Sequence, residues 1–175
     1  MIIYLKQQLL NKGTLQRVLF VLWCFIVSAA HGQEAPPKPI QIFANPAQGL
    51  KFGTFTHGNT GGTVIIYPNG TRSVTGSVVQ LSGSTPFSPA IFEIEANPGT
   101  VVSILNGPNV LLTGSNGGSM VLQLGASSTG SPFITNVAPP GRTTVRIGGT
   151  LFVGSPLANP GGNYSGTFMV TFIQE

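Results

Sequence analysis

The chain has 175 residues, only 7% of them charged, with 24 Gly, 14 Pro, one Cys and one Trp. An average soluble domain is about a quarter charged. The net charge of +4 points to a membrane or a nucleic acid only if the chain stays whole, and its first segment argues that it does not. Lys6, Lys12 and Arg17 precede an unbroken apolar run at 18–27, followed by Ser28, Ala29, Ala30, His31 and Gly32. A basic start, a short apolar run and a small-residue exit describe a secretory signal peptide. The basic end stays inside while the apolar run enters the bilayer as a helix too short to span it stably. Ala30 and Gly32 fit the positions before a cleavage site, so residues 1–32 are expected to be removed between Gly32 and Gln33; cutting after Ala30 is the alternative. Trp23 stands just before Cys24, where lipoprotein processing needs a small residue.

Removal of residues 1–32 leaves 143 residues with Lys38, Lys51, Arg72, Arg142 and Arg146 against Glu34, Glu93, Glu95 and Glu175. The net charge falls to +1. Asp is absent, and the only Cys leaves with the signal. The mature chain therefore offers no disulfide and no thiolate in a compartment that permits disulfides, and no basic surface for nucleic acid. No membrane span is expected to persist after processing. The expected location is outside the cytoplasm: periplasm, cell surface or extracellular space.

Residues 33–39 form a short Pro-rich leader. Beyond residue 32, Gly and Pro make up 36 of 143 positions, but Ile, Leu, Val and Phe supply 40. Disorder needs few large apolar residues and high charge, so a folded core is expected. Beyond residue 32 the longest stretch free of Gly and Pro is 167–175. Gly and Pro cost a helix interior about 1 and 3 kcal/mol, so no ordinary helix fits, whereas strands of about five or six residues fit throughout. The Val-, Ile-, Phe- and Thr-rich segments predict strands at 40–45, 51–56, 63–68, 71–81, 90–96, 101–106, 110–113, 119–124, 133–137, 143–153 and 164–173.

Alternation is clear in several of them. Phe92, Ile94 and Ala96 point one way, Glu93 and Glu95 the other. Val145, Ile147, Leu151 and Val153 oppose Thr144 and Arg146. Tyr164, Gly166, Phe168, Val170 and Phe172 oppose Ser165, Thr167 and Thr171. One wet and one dry face marks antiparallel sheet. Pro68-Asn69-Gly70 reads as a hairpin turn, Asn97-Pro98-Gly99 as a second turn, and Asn159-Pro160-Gly161-Gly162 as a loop. The fold class is all-β, an antiparallel immunoglobulin-like sandwich over 40–175, preceded by the signal-peptide helix. A membrane barrel is disfavoured, because most strands are too short and aromatic girdles are missing.

Four blocks carry a family resemblance: 50–55 (LKFGTF), 61–72 (GGTVIIYPNGTR), 148–154 (GGTLFVG) and 162–171 (GNYSGTFMVT). The mature chain resembles the bacterial domain-of-unknown-function family 4402, small exported all-β proteins, with 126–141 matching only loosely. Similar endings occur in spore-coat-U-like and other fimbrial subunits with immunoglobulin-like folds. The resemblance implies an envelope or surface role and supplies no catalytic residues.

Catalysis needs groups that move protons, attack or bind metal. A triad would have to use Ser, His57 and Glu93 or Glu95, yet no Gly-x-Ser-x-Gly elbow exists; 125–130 misses by one residue. His57 lies in Thr-His-Gly-Asn and reads as a surface loop histidine. Glu93 and Glu95 read as a solvated strand face with no third ligand, and acidic calcium loops need Asp. The Gly tracts at 58–62 and 114–118 read as loops, since neither has the Gly-Lys-Ser/Thr ending of a phosphate cradle. Tyr67 and Tyr164 are the only Tyr or Trp left for sugar stacking; Tyr164 is expected in the core, its hydroxyl tied to backbone at a corner. Asn69 and Asn163 sit in glycosylation-type triplets of no expected role. No catalytic, cofactor or metal residue is assigned. The expectation is a non-enzymatic structural or adhesive envelope protein whose partners are other envelope or fimbrial proteins. A fimbrial subunit that donates a strand containing Ile40, Ile42 and Ala44 and a secreted glycan- or matrix-binding module are the alternatives.

Overall fold

A computed structural model describes residues 38–83 and 85–175. The expected signal peptide, its cleavage site and residues 33–37 of the leader lie outside the described residues. Among those described, the strands are β1 Gln41–Ala44, β2 Lys51–Phe52, β3 Phe55–Ile66, β4 Arg72–Gln80, β5 Phe87–Ser88, β6 Ala90–Glu95, β7 Val101–Asn106, β8 Val110–Gly114, β9 Ser119–Ser127, β10 Phe133–Ile134, β11 Thr143–Val153, β12 Tyr164–Ser165 and β13 Val170–Gln174. The one helical turn among them is the 3-10 turn Pro46–Gln48, capped by Asn45, whose side-chain oxygen accepts the Ala47 N–H at 3.0 Å. No α-helix occurs among the described residues, in keeping with the spacing of Gly and Pro.

All strand ladders are antiparallel. A large sheet runs β1-β6-β11-β9-β8-β12, with β3 also on β11 and β4 on β3. A three-stranded sheet runs β10-β7-β13, and β2 pairs β5. The arrangement is sandwich-like. Its axis is β11, which pairs β9 along one edge through Ile147–Phe152. Its other edge is shared: Thr143–Ile147 pairs β6, and Gly149–Val153 pairs β3. The changeover falls at Gly148, where an added Cβ would lie 2.3 Å from the Ile66 carbonyl oxygen. Only glycine lets three strands meet so closely.

Two apolar clusters lie on the inner face. Ile94, Ala96, Val102, Phe133, Val145, Ile147 and Phe172 form the first, beneath the three-stranded sheet. The Phe92 and Phe172 rings meet edge-on there, centroids 5.4 Å apart. Phe52, Val64, Ile66, Val78, Leu112, Met120, Leu122, Leu151 and Val153 form the second, flanked by Leu50, Phe55, Tyr164 and Phe168. The alternation of β11 feeds both: Val145 and Ile147 enter one, Leu151 and Val153 the other. Each large apolar side chain so buried contributes about 1.5–3 kcal/mol.

The expected strand at 164–173 is two strands in two sheets. β12 pairs β8 and β13 pairs β7, while residues 166–169 cross between the layers. The partner run breaks at the same level. Gly107, Pro108 and Asn109 separate β7 from β8, and Pro108 has no N–H for a ladder. The C-terminal run follows antiparallel and changes layer where its partner does, restarting where the Gly107 N–H donates to Met169 O at 2.9 Å.

A second correction concerns 58–62, expected as a loop. These residues lie inside β3 as a bulge: His57 opposes Val78, yet Gly62 already opposes Gly76. A Cβ on Gly62 would come within 2.0 Å of Thr75 O, so the glycines permit a contact that side chains would forbid. The expected strand at 133–137 shortens to β10, and β5 was not foreseen.

The Pro68-Asn69-Gly70 turn forms as expected. Tyr67 N–H donates to Thr71 O, and Gly70 N–H to Tyr67 O. Asn69 Oδ1 braces it, accepting from Thr71 N at 3.0 Å and Thr71 Oγ1 at 2.7 Å. Asn97-Pro98-Gly99 also turns the chain but joins strands of different sheets. Thr135, fully buried, donates its hydroxyl to Asn97 O at 2.6 Å and fastens that arch. Finally, the Ile40 N–H donates to Gln174 Oε1 at 3.1 Å, and Gln174 Nε2 to Lys38 O at 3.4 Å.

Candidate functional site

Glu93 and Glu95 face away from the core on β6, as expected, but they are not a free carboxylate pair. Arg142, just ahead of β11, reaches both: Nη1 lies 2.9 Å from Glu93 Oε2 and Nε 3.8 Å from Glu95 Oε2. The same guanidinium lies over the Phe43 ring, 3.5 Å from its centroid. A delocalised cation that bridges two carboxylates and covers a ring uses its charge and its flat face together. The result is a clasp that fastens β1 to β6 and β11. Among the described residues no three His, Cys, Asp or Glu side chains gather as metal ligands would.

His57 corrects the expectation of a loop residue. It sits in β3, half-buried, its Nε2 3.1 Å from Asn159 O. A carbonyl only accepts, so Nε2 carries the proton. Nδ1 is buried without a partner among the described residues. Among the described residues no Ser hydroxyl or Glu carboxylate is hydrogen-bonded to the ring, so no triad is assembled there. His57 pins β3 to the loop after β11.

That loop is organised by Asn159, only 2% exposed. Its Oδ1 accepts the Gly154 N–H, and its Nδ2 donates to Ser119 O and to Ala158 O. Tyr164 takes the expected place beside the second cluster, its hydroxyl donating to Pro160 O at 2.7 Å. Asn116 Nδ2 holds Gly161 O at 2.7 Å. The expected loop at 114–118 is the β8–β9 turn, closed by Gly114 N–H to Gly118 O at 3.1 Å.

Two concavities stand out. A groove of about 460 Å³ opens over the second cluster, between 50–55 and 160–168, with Leu112, Met120, Leu122 and Leu151 on its floor. Phe52, Phe55 and Phe168 line it, and His57 and Lys51 stand at it. A shallower cleft of about 500 Å³ is lined by Tyr67, Pro68, Asn69, Ser128 and Arg146. Beside the groove, Arg72 Nη1 donates to Phe52 O at 2.9 Å and Thr54 O at 3.2 Å, with its guanidinium over the Phe87 ring at 4.5 Å. Arg72 thus locks β2 and β5 against β4.

A family model described as "Domain of unknown function (DUF4402)" matches residues 40–173. The chain belongs to the DUF4402 family. No curated protein and no solved structure matches it. In this DUF4402 chain the four blocks that carry the resemblance converge. Phe52, then Val64 and Ile66, then Leu151 and Val153, then Tyr164 and Phe168 all meet at the second cluster, beneath the groove. The match runs through every strand from β1 into β13. Among the described residues, no helix is long and apolar enough to cross a membrane.

Sequence reasoning did not single out Arg142, Asn159 or Phe43. Arg142 lies 49 positions from Glu93, and no local spacing announces the pairing. Asn159 carries the ordinary signature of a turn.

Proposed function

We propose that this DUF4402 protein is a non-enzymatic, exported, immunoglobulin-like structural or adhesive component of a bacterial envelope or surface. The observation that carries the reading is the use made of its few reactive groups. Arg142 bridges the glutamate pair, and His57 is occupied by a backbone carbonyl. These side chains support a scaffold. The basic, apolar and small-residue segments of 1–32 support export. Fractionation of the producing bacterium tests it: recovery with the envelope or medium is expected, and recovery only in the cytosol overturns it.

Strand exchange between copies is a second reading, favoured by β1 and the groove. In β1 only Phe43 is half-buried, and the other three residues are exposed. Over the second cluster the covering layer narrows to the β2–β5 pair and residues 163–168, leaving the groove open. An extended segment with alternating apolar side chains fits such a gap. Deleting residues 33–45 separates the cases. A monomeric, folded product supports donation between copies; unfolding shows that β1 belongs to its own domain.

A further inference from the structure

Away from the Arg142–Glu93–Glu95 clasp, the outer face of the large sheet carries little charge. Rows of residues in register cross it: Leu111, Val121, Phe152, Thr63 and Thr75, then Gln123, Thr150, Ile65 and Ser73. On this face Arg146 is set apart from the other two arginines of the domain. Arg72 is spent on two carbonyls and a ring, and Arg142 on two carboxylates and a ring. Among the described residues the Arg146 guanidinium has no carboxylate, carbonyl or ring partner. It lines the cleft with Tyr67, Pro68, Asn69 and Ser128.

What surrounds it is held in place by backbone. Ser128 N–H donates to Arg146 O at 2.8 Å, and Arg146 N–H to Ser128 Oγ at 2.9 Å. The Ser128 oxygen is thereby used as acceptor, and its own proton remains to donate. Across the cleft the β3–β4 turn is braced through Asn69 Oδ1, which leaves Asn69 Nδ2 as the donor of that side chain. Tyr67 is 43% exposed beside Pro68. No carboxylate lines the cleft. It therefore offers a planar cation, an amide donor, a hydroxyl donor and an apolar platform.

We infer that this cleft binds a carboxylate-bearing saccharide. A guanidinium fork matches a carboxylate through two parallel hydrogen bonds. The tyrosine ring and proline match the C–H face of a sugar. Asn69 and Ser128 donors match its hydroxyl and ring oxygens. The inference goes beyond the proposed envelope role and stands on the cleft alone, whatever the compartment.

The test uses the purified protein, processed as its host leaves it, titrated with trigalacturonate, with its methyl ester and with acetate. Expected is binding of the acid that weakens about tenfold or more on methyl esterification, and by a similar factor in Arg146→Ala, the loss set by one charge-assisted pair. Arg146→Lys keeps the charge without the fork and should fall between the two. Tyr67→Ala should weaken the trisaccharide and leave acetate unchanged. Unchanged melting temperatures in these surface variants establish that binding, not folding, is read. No binding of trigalacturonate, equal affinity for acid and ester, wild-type affinity in Arg146→Ala, or acetate as tight as the trisaccharide would each overturn the inference.

Discussion

Replacing Asn159 with Ala should weaken the fold far more than its turn-like sequence implies. The side chain joins three backbone groups that are distant or awkwardly placed: Gly154 N–H at the end of β11, Ser119 C=O at the start of β9, and Ala158 C=O. Ser119 and Ala158 are exposed and can recover water, whereas Gly154 is partly covered. Two lost net hydrogen bonds at about 1 kcal/mol each, plus part of the desolvation cost of the Gly154 N–H, give about 2–3 kcal/mol. With a urea slope of about 1–3 kcal/mol per molar, the unfolding midpoint should fall by roughly 1–2 M. Asn159→Asp refines the test. Its carboxylate still accepts from Gly154 but faces the Ser119 and Ala158 carbonyls without a proton to offer. Burial there raises its pKa above the unfolded value. Its stability is then highest below the unfolded carboxylate pKa and is lost as pH rises through the folded one. Urea melts of both variants at neutral and acidic pH provide the measurement. A loss under about 0.5 kcal/mol for Ala, or an Asp variant as stable as Asn at pH 7, would refute the reasoning.

Thr135→Val keeps the shape but removes the hydroxyl from a fully buried site, leaving Asn97 O with only the Thr100 N–H at 3.2 Å. The expected cost is about 0.5–1.5 kcal/mol by denaturation, the net value of one hydrogen bond, with Thr135→Ser much milder. Ile147→Ala and Ile66→Ala open cavities in different clusters and should each cost about 2–5 kcal/mol. Because β11 threads both clusters, each variant should still unfold in one transition by calorimetry; two resolved transitions would contradict that coupling. Arg142→Gln should cost about 1 kcal/mol: the Glu93 pair is solvent-screened, whereas Glu95, 15% exposed, loses the cation at 3.8 Å. It should also speed proteolysis near residues 38–45, detectable by mass spectrometry.

Local patterns made much of the architecture legible. The bounds of β7 and β11 follow directly from Gly and Pro breakers around alternating apolar residues, and the inward set Val145, Ile147, Leu151 and Val153 is the observed one. The same alternation holds through 164–172, yet it conceals a change of sheet. Period-two patterning reports which side of a strand is dry, not which neighbour supplies its hydrogen bonds. The bulge at Gly61 and Gly62 escaped for a related reason. Glycines that read as a flexible loop serve a close crossing against Thr75, and that crossing exists only after β4 has returned. Glu93 and Glu95 were placed on the correct face, but their electrostatic state depends on Arg142, far along the chain. His57 and Asn159 each looked local and proved to hold each other's segments. Side-chain chemistry between distant segments is thus the part that turn signals and periodicity leave unread.

The tie from Gln174 to Ile40 and Lys38 has a mechanical consequence. It sets the entrance to β1 and the exit from β13 side by side. A load drawn between those two points does not stretch the domain along its length. It prises the outermost strands away from β6 and β7 one rung at a time, starting where Gln41 pairs Glu95 and Gln174 pairs Val102. The groove and the clustered family blocks beneath it lie outside that line of tension and would be the last part of the molecule to feel a pull.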